Sequence, residues 1–139
     1  MLGCDFSMYA RAFLFFFLIF LSSCSRELMV VSRSSESGEV YFSLYDLDGA
    51  AAKVNIKWFA VQEEQGGGDW RTIWSFEGGE GISRVTYGES RNGMVVTRIA
   101  EKLKAGVNYR VVISCLTRFS PAIYGYDEFS LEDGKVVRR

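Results

Sequence analysis

Apolar and polar residues alternate with a period of two over most of the chain after residue 39. In VYFSLY, Val40, Phe42 and Leu44 fall on one side and the residues between them on the other. This period, with β-branched and aromatic residues, predicts half-buried strands. By the same rule Ile56, Trp58 and Ala60 would share one side, and so would Trp70, Thr72, Trp74 and Phe76. Further stretches with strand character are 82–87, 93–100, 109–116, 126–132 and 135–138.

Turn-forming residues separate these stretches at regular intervals. Asp-Gly and Asn-Gly pairs supply the positive φ angles of tight hairpins. They occur at Asp48-Gly49, Asn92-Gly93 and Asp133-Gly134, with glycine clusters at 66–68 and 78–79. Strands this short and frequent predict an all-β fold, an antiparallel β-sandwich of about 7–8 strands. LMVVS, residues 28–32, is a candidate for an additional first strand.

The N-terminal region follows a different pattern. Residues 12–21 read AFLFFFLIFL, ten residues without a charge, preceded by Arg11 and followed by Ser22 and Ser23. A membrane-spanning helix needs about 20 apolar residues, whereas a run near ten matches the core of a signal peptide. The run is therefore interpreted as a cleaved signal.

The residues after this run, Leu21-Ser22-Ser23-Cys24, resemble the lipobox of bacterial lipoproteins. The resemblance implies cleavage between Ser23 and Cys24, and acyl chains such as palmitate on the Cys24 thiol. It implies a membrane partner, and Ser25 at the next position favours the outer membrane, facing the periplasm. The domains are then a signal peptide at 1–23, a lipidated cysteine and tether at 24–38, and a β-sandwich at 39–139. Whether translation starts at Met1 or Met8 stays open.

Composition narrows the chemistry. The chain has no histidine, which excludes histidine-dependent triads and histidine-ligated metals. The net charge is −1, so no basic excess attracts nucleic acid. With Cys4 in the signal and Cys24 lipidated, Cys115 has no intrachain partner and is expected to be buried on the apolar side of its strand. We expect no metal, no cofactor and no enzymatic activity.

LKAGVNYRVVI, residues 103–113, resembles a stretch of fibronectin type III and immunoglobulin-like domains. Leu103, Gly106, Tyr109 and Val111 occupy the matching positions. The resemblance implies a "tyrosine corner", in which the Tyr109 hydroxyl bonds to the backbone of the preceding connection. The expected architecture is therefore immunoglobulin-like.

The hairpin from Trp58 to Phe76 is the predicted partner surface. Large aromatic residues, an arginine and acids come together there around a glycine-rich tip, as in binding hot spots. The candidate contact residues are Trp70, Arg71, Asp69, Glu63 and Glu64.

We therefore expect a membrane-anchored, non-enzymatic protein-binding module. A weak similarity to small envelope lipoproteins, some of them suspected immunity proteins against secreted toxins, would suit this function. It involves Trp74, 85–88, Gly93, Leu103, Gly106, Tyr109 and 133–136. An envelope assembly factor is a further reading. The alternative is a small carboxylate-based hydrolase or a carbohydrate-binding domain, because paired acids can hydrolyse glycosides.

Overall fold

The computed structural model describes residues 27–91, 93–116 and 123–139, and their regular structure consists of strands. The strands are β1 (Glu27–Ser34), β2 (Val40–Tyr45), β3 (Asn55–Gly66), β4 (Asp69–Glu77), β5 (Arg84–Thr86), β6 (Val95–Arg98), β7 (Asn108–Leu116), β8 (Ile123–Glu132) and β9 (Lys135–Arg138). The prediction of an all-β fold is confirmed.

The strands form one continuous curled sheet. Its order is β5-β2-β1-β8-β7-β3-β4-β6, and β9 also pairs with β8. All pairs of named strands are antiparallel except β1–β8, which is parallel, so the sheet is mixed. The curl makes a half-barrel, and a closed sandwich of two separate sheets is not seen.

The concave side of the sheet holds the core. Val40, Phe42 and Leu44 of β2 are buried, as their alternation predicts. The Phe42 ring centroid lies 5.5 Å from that of Phe59 on β3 and 5.6 Å from that of Phe129 on β8. Because strands distant in the sheet order meet through these aromatic contacts, the curl is held by apolar packing.

The parallel junction depends on a close approach at Gly125. A Cβ there would lie 2.7 Å from Cγ2 of Ile113 and 2.7 Å from Cγ2 of Val30. The φ angle of Gly125 is not in the left-handed region, so close packing, and not backbone conformation, favours glycine at this position.

Two of the register shifts that involve β3 and β4 change the predicted faces. Ile56 pairs with Cys115 and Trp58 with Ser114, which leaves Lys57 as an extra residue on β3. Val61 pairs with Trp74 and Gln62 with Thr72, which leaves Ile73 as an extra residue on β4. An extra residue changes the side to which later side chains point.

The shared sides predicted for these two strands therefore hold within each regular stretch and are wrong across Lys57 and Ile73. On β3, Ile56 faces the core before Lys57, and Phe59 faces the core after it. Trp58 and Ala60 lie on the opposite face from Phe59. On β4, Trp74 and Phe76 are buried, whereas Trp70 and Thr72 lie on the convex face.

β1 covers residues 27–34, inside the segment predicted as tether, and contains the apolar stretch LMVVS. The signal peptide, Ser23 and Cys24 lie outside the described residues. Within the described part of the chain, no helix is long and apolar enough to cross a membrane.

Candidate partner-binding surface

The tip of the β3–β4 hairpin is a glycine turn. Gly66, Gly67 and Gly68 have φ angles of 93°, 65° and 85°, in the left-handed region that side chains disfavour. Asp69 pairs with Gly66 across the turn and is exposed. Asp69 therefore lies at the end of the hairpin, and Trp70 and Arg71 lie further along β4, away from the tip.

The predicted contact residues divide between the two faces of this hairpin. Glu64 pairs directly with Trp70, and Glu63 pairs directly with Arg71. Because directly opposed residues share a face and neighbours along a strand alternate, Glu64 and Trp70 point to one side and Glu63 and Arg71 to the other. The structure thus brings together two pairs, and it does not form one surface from all four residues.

The convex face carries a set of interacting polar and aromatic side chains, which we call the outer-face cluster: Gln62, Glu64, Trp70, Asn108 and Arg110. The guanidinium carbon of Arg110 lies 4.4 Å from the centre of the Trp70 ring. Its Nε donates to Oε1 of Gln62 at 2.6 Å. Nδ2 of Asn108 donates to Oε2 of Glu64 at 2.6 Å. Stacking and hydrogen bonds together hold these side chains in a fixed arrangement on three strands.

Tyr126 and Glu128 extend this face onto β8. Tyr126 pairs with Val112 and Glu128 with Arg110, so both lie beside the outer-face cluster. Tyr126 is 52% exposed, and its hydroxyl donates to Glu128. Burial and this bond to a carboxylate raise the Tyr126 pKa to about 12. The phenol is therefore a neutral hydrogen-bond donor at any physiological pH.

Sequence reasoning did not identify Arg110, Gln62 and Asn108 as members of the surface. Alternation with Tyr109 and Val111 does predict that Arg110 points away from the core. Its position over Trp70 depends on the pairing of β7 with β3, which joins residues 48 apart in the chain.

The other face of the hairpin tip holds an ion-pair network. The Arg71 guanidinium donates two bonds to Glu101, at 2.7 and 2.9 Å, and lies 3.5 Å from the buried Glu63 carboxylate. Arg98 also donates to Glu101 at 3.1 Å. Hydrogen bonds from Arg71 and then Arg98 lower the Glu101 pKa to about 2.

This network attaches the segment before β7 to β4. Glu101 N–H donates to the carbonyl of Ile73 at 3.2 Å, and its own carbonyl accepts from the Tyr87 hydroxyl at 2.6 Å. Arg71 is thus engaged in fixing this segment.

The four residues with predicted structural roles lie at or near β7: Leu103, Gly106, Tyr109 and Cys115. Tyr109 is fully buried, and its hydroxyl accepts from Lys104 N–H at 2.8 Å. Leu103 packs against the core, and Gly106, with a φ angle of 74°, donates its N–H to the Leu131 carbonyl at 3.1 Å. Cys115 is 1% exposed, and burial raises its thiol pKa to about 11. That thiol is therefore protonated at neutral pH.

No metal site is formed by the residues that the structure describes: no three of their acidic or thiol side chains are grouped to hold an ion. No family model, no curated protein and no solved structure matches the chain.

Proposed function

We propose that the protein is a lipid-anchored binding domain of the bacterial envelope, and that it binds a protein partner through the outer-face cluster. The observation that carries this proposal is the stack of Arg110 on Trp70, on the convex side of the sheet. Tryptophan, tyrosine and arginine dominate the energetics of protein interfaces. A platform of paired strands also holds such groups with little loss of side-chain freedom on binding.

The polar members of the outer-face cluster suit a specific interface. Glu64 and Asn108 bond to each other, as do Gln62 and Arg110, so their unused donors and acceptors have defined directions. The carboxylate and guanidinium also give the surface both signs of charge. Such groups set specificity and encounter rate, while the aromatic rings supply buried area.

The anchor in this proposal is an acylated Cys24, in an outer membrane and facing the periplasm. It is supported by the ten-residue apolar run and the residues Leu21-Ser22-Ser23-Cys24. One acyl chain gives only marginal attachment, and two or more give a stable one. Labelled palmitate should enter the wild-type protein and be absent from Cys24→Ala; label that persists in the variant contradicts the anchor.

An immunoglobulin-like domain is the architecture we propose for the module. The contact of the Tyr109 hydroxyl with the Lys104 backbone at the start of β7 supports it. Toxin neutralisation by an immunity protein and envelope assembly are both binding functions of this class, and a secreted toxin gene beside this one would favour the first.

A matched pair of sites on the sheet makes the binding proposal testable. Arg84 stacks on Tyr41, with 3.6 Å from the guanidinium carbon to the ring centre, on β5 and β2, away from the outer-face cluster. Trp70→Ala and Arg110→Ala should reduce capture of envelope proteins by the lipidated full-length chain. Tyr41→Ala and Arg84→Ala should not.

Folding of each variant is checked by its urea unfolding midpoint. The proposed surface is contradicted if all four variants lose the same partner. It is also contradicted if all four variants keep every partner. If the Trp70 and Arg110 variants instead lose retention on immobilised envelope polysaccharide, the carbohydrate-binding alternative is favoured, since exposed rings and amides also suit sugars.

A carboxylate-based hydrolase gains less support. Glu63 and Glu64 point to opposite faces, and Glu63 lies against Arg71. A glycosidase needs two carboxyl groups in one cleft, flanking the scissile bond and about 5–10 Å apart.

A further inference from the structure

The start of β1 fixes one end of the sheet close to Cys24. Only three residue steps separate Cys24 from Glu27, the first residue of β1. A fully extended chain covers at most about 11 Å in three steps. The headgroup layer on each side of a bilayer is about 5–7 Å thick. If Cys24 carries acyl chains, as proposed above, this end of the sheet must therefore lie at the membrane surface.

The strand register defines which elements meet at that end. β1 begins there beside the start of β8, since Glu27 pairs with Tyr124. β2 and β7 end there, and β3 begins there, since Met29 pairs with Tyr45 and Asn55 pairs with Leu116. The connection after β2 follows the same end.

Three large apolar side chains at this end are exposed. Leu47, in the connection after β2, is 70% exposed; Leu116, at the end of β7, is 59% exposed; and Tyr124, at the start of β8, is 62% exposed. We call this end of the sheet, with these three residues, the anchor end. A cavity of about 360 Å³ opens beside Leu47 and is also lined by Leu28, Val54 and Ile123. Exposed apolar groups that cluster at one end of a sheet fit a surface that contacts a membrane or a partner.

We propose that the anchor end rests in the interfacial layer of the bilayer that holds the acyl chains, with Leu47, Leu116 and Tyr124 in contact with lipid. This rests on the proposed lipidation of Cys24. Leucine side chains gain from the acyl boundary, and tyrosine is enriched at membrane interfaces because its ring is apolar and its hydroxyl stays hydrated.

Electrostatic attraction to anionic lipids does not drive this contact. The cavity beside Leu47 is also lined by Glu27, Asp46 and Asp48, so the region carries acidic groups. Acidic groups are repelled by anionic headgroups. The contact is therefore expected to persist in zwitterionic membranes and not to strengthen when anionic lipid is added.

The orientation places the outer-face cluster away from the membrane. On β3, Asn55 lies at the anchor end and Glu64 near the opposite end, nine residues further. At about 3.3 Å per residue this separates the cluster from the membrane by about 30 Å. The binding face and the glycine tip of the hairpin would then project into the periplasm.

A fluorescence measurement on the lipidated full-length protein tests the contact. Leu47→Cys and, as a control at the opposite end, Lys135→Cys are each labelled with an environment-sensitive fluorophore; both positions are exposed, and native Cys115 is buried. The variants are reconstituted in phosphatidylethanolamine–phosphatidylcholine liposomes containing a spin-labelled quencher lipid. The emission of the position-47 probe should shift to the blue and lose intensity, and the position-135 probe should change little.

The outcomes separate this inference from the proposed anchor. If the protein floats with the liposomes but the probe at 47 is quenched no more than the probe at 135, the inference is overturned and the anchor stands. If the protein does not float, both fail. Quenching at 47 that grows with added phosphatidylglycerol contradicts the apolar basis of the contact.

Discussion

Oδ2 of Asp127 accepts a hydrogen bond from the backbone N–H of Ser32 at 2.8 Å, where β1 separates from β8. Arg138 of β9 donates to the same carboxylate, with its Nη2 at 3.0 Å from Oδ1. Asp127 is only 6% exposed. One buried carboxylate thus joins three strands at the point where β1 gives way to β9 as the neighbour of β8.

Asp127→Ala should destabilise the fold by about 2–3 kcal/mol, because it leaves a buried backbone donor and an arginine without their acceptor. Asp127→Asn keeps an acceptor for Ser32 N–H and should lose less. Urea unfolding measures both. Glu89→Ala, which removes an exposed ion pair with Arg91, serves as a control and should change stability by less than about 1 kcal/mol. An Asp127→Ala variant as stable as this control would contradict the role.

Gly125→Ala should destabilise by about 1–3 kcal/mol, since the new methyl overlaps the Val30 and Ile113 side chains. A double-mutant cycle identifies the cause. Val30→Ala removes one of the two overlapping methyl groups, so the double variant should be more stable than the sum of the single changes predicts, by about 0.5 kcal/mol or more. Strict additivity would mean that the overlap with Val30 is relieved in another way.

Tyr109→Phe should lower the free energy of unfolding by about 1 kcal/mol, because the Lys104 N–H loses its acceptor. Tyr124→Phe is the control, since that ring is mostly exposed. Equal unfolding midpoints for the two variants would show that the corner contact contributes nothing measurable.

The buried thiol of Cys115 gives a pH dependence above neutrality. Its folded pKa is about 11, against an ordinary value of 9.0, so the unfolded chain ionises first as pH rises. The contribution to stability is complete below pH 9 and is lost between about pH 9 and 11, by at most about 1.4 kcal/mol per pH unit. Stability should therefore fall more steeply over this range in the wild type than in Cys115→Ala. Parallel curves would contradict a buried, protonated thiol.

Period-two alternation was enough to predict the strands whose register is regular. On β2 and β7 the apolar residues at every second position face the core, and Tyr109 and Cys115 are both buried. In these strands no extra residue interrupts the alternation, so the sequence pattern alone indicates which residues face the core.

β3 and β4 depart from the prediction because of the extra residues at Lys57 and Ile73. Four consecutive residues of β4, Ile73 to Phe76, are buried, so burial does not follow the period-two pattern there. The size of each side chain gives no signal either, since Trp70 and Trp74 are identical. Where a bulge occurs depends on the pairing of distant strands.

The parallel pairing of β1 with β8 could not be predicted from the sequence either. The pairing joins only three residues of β1, Glu27 to Met29, to β8, which lies about a hundred residues later in the chain. Local patterns indicate that a segment is a strand, but they do not indicate its neighbours.

Trp70 and Trp74 offer the most direct test of this arrangement. Trp74 is 1% exposed, and its ring lies 5.6 Å from Phe59 and 5.1 Å from Tyr87. Trp74→Ala should therefore destabilise the fold by about 3–5 kcal/mol. Trp70 lies half-buried on the convex face with Arg110 above it, and Trp70→Ala should lower stability by only about 0.5–1 kcal/mol. Urea unfolding of both variants distinguishes the two positions, and two equal losses would place both rings in the core. If Trp70→Ala also loses the captured partner while its unfolding midpoint stays near the wild type, the loss reflects the surface and not the fold.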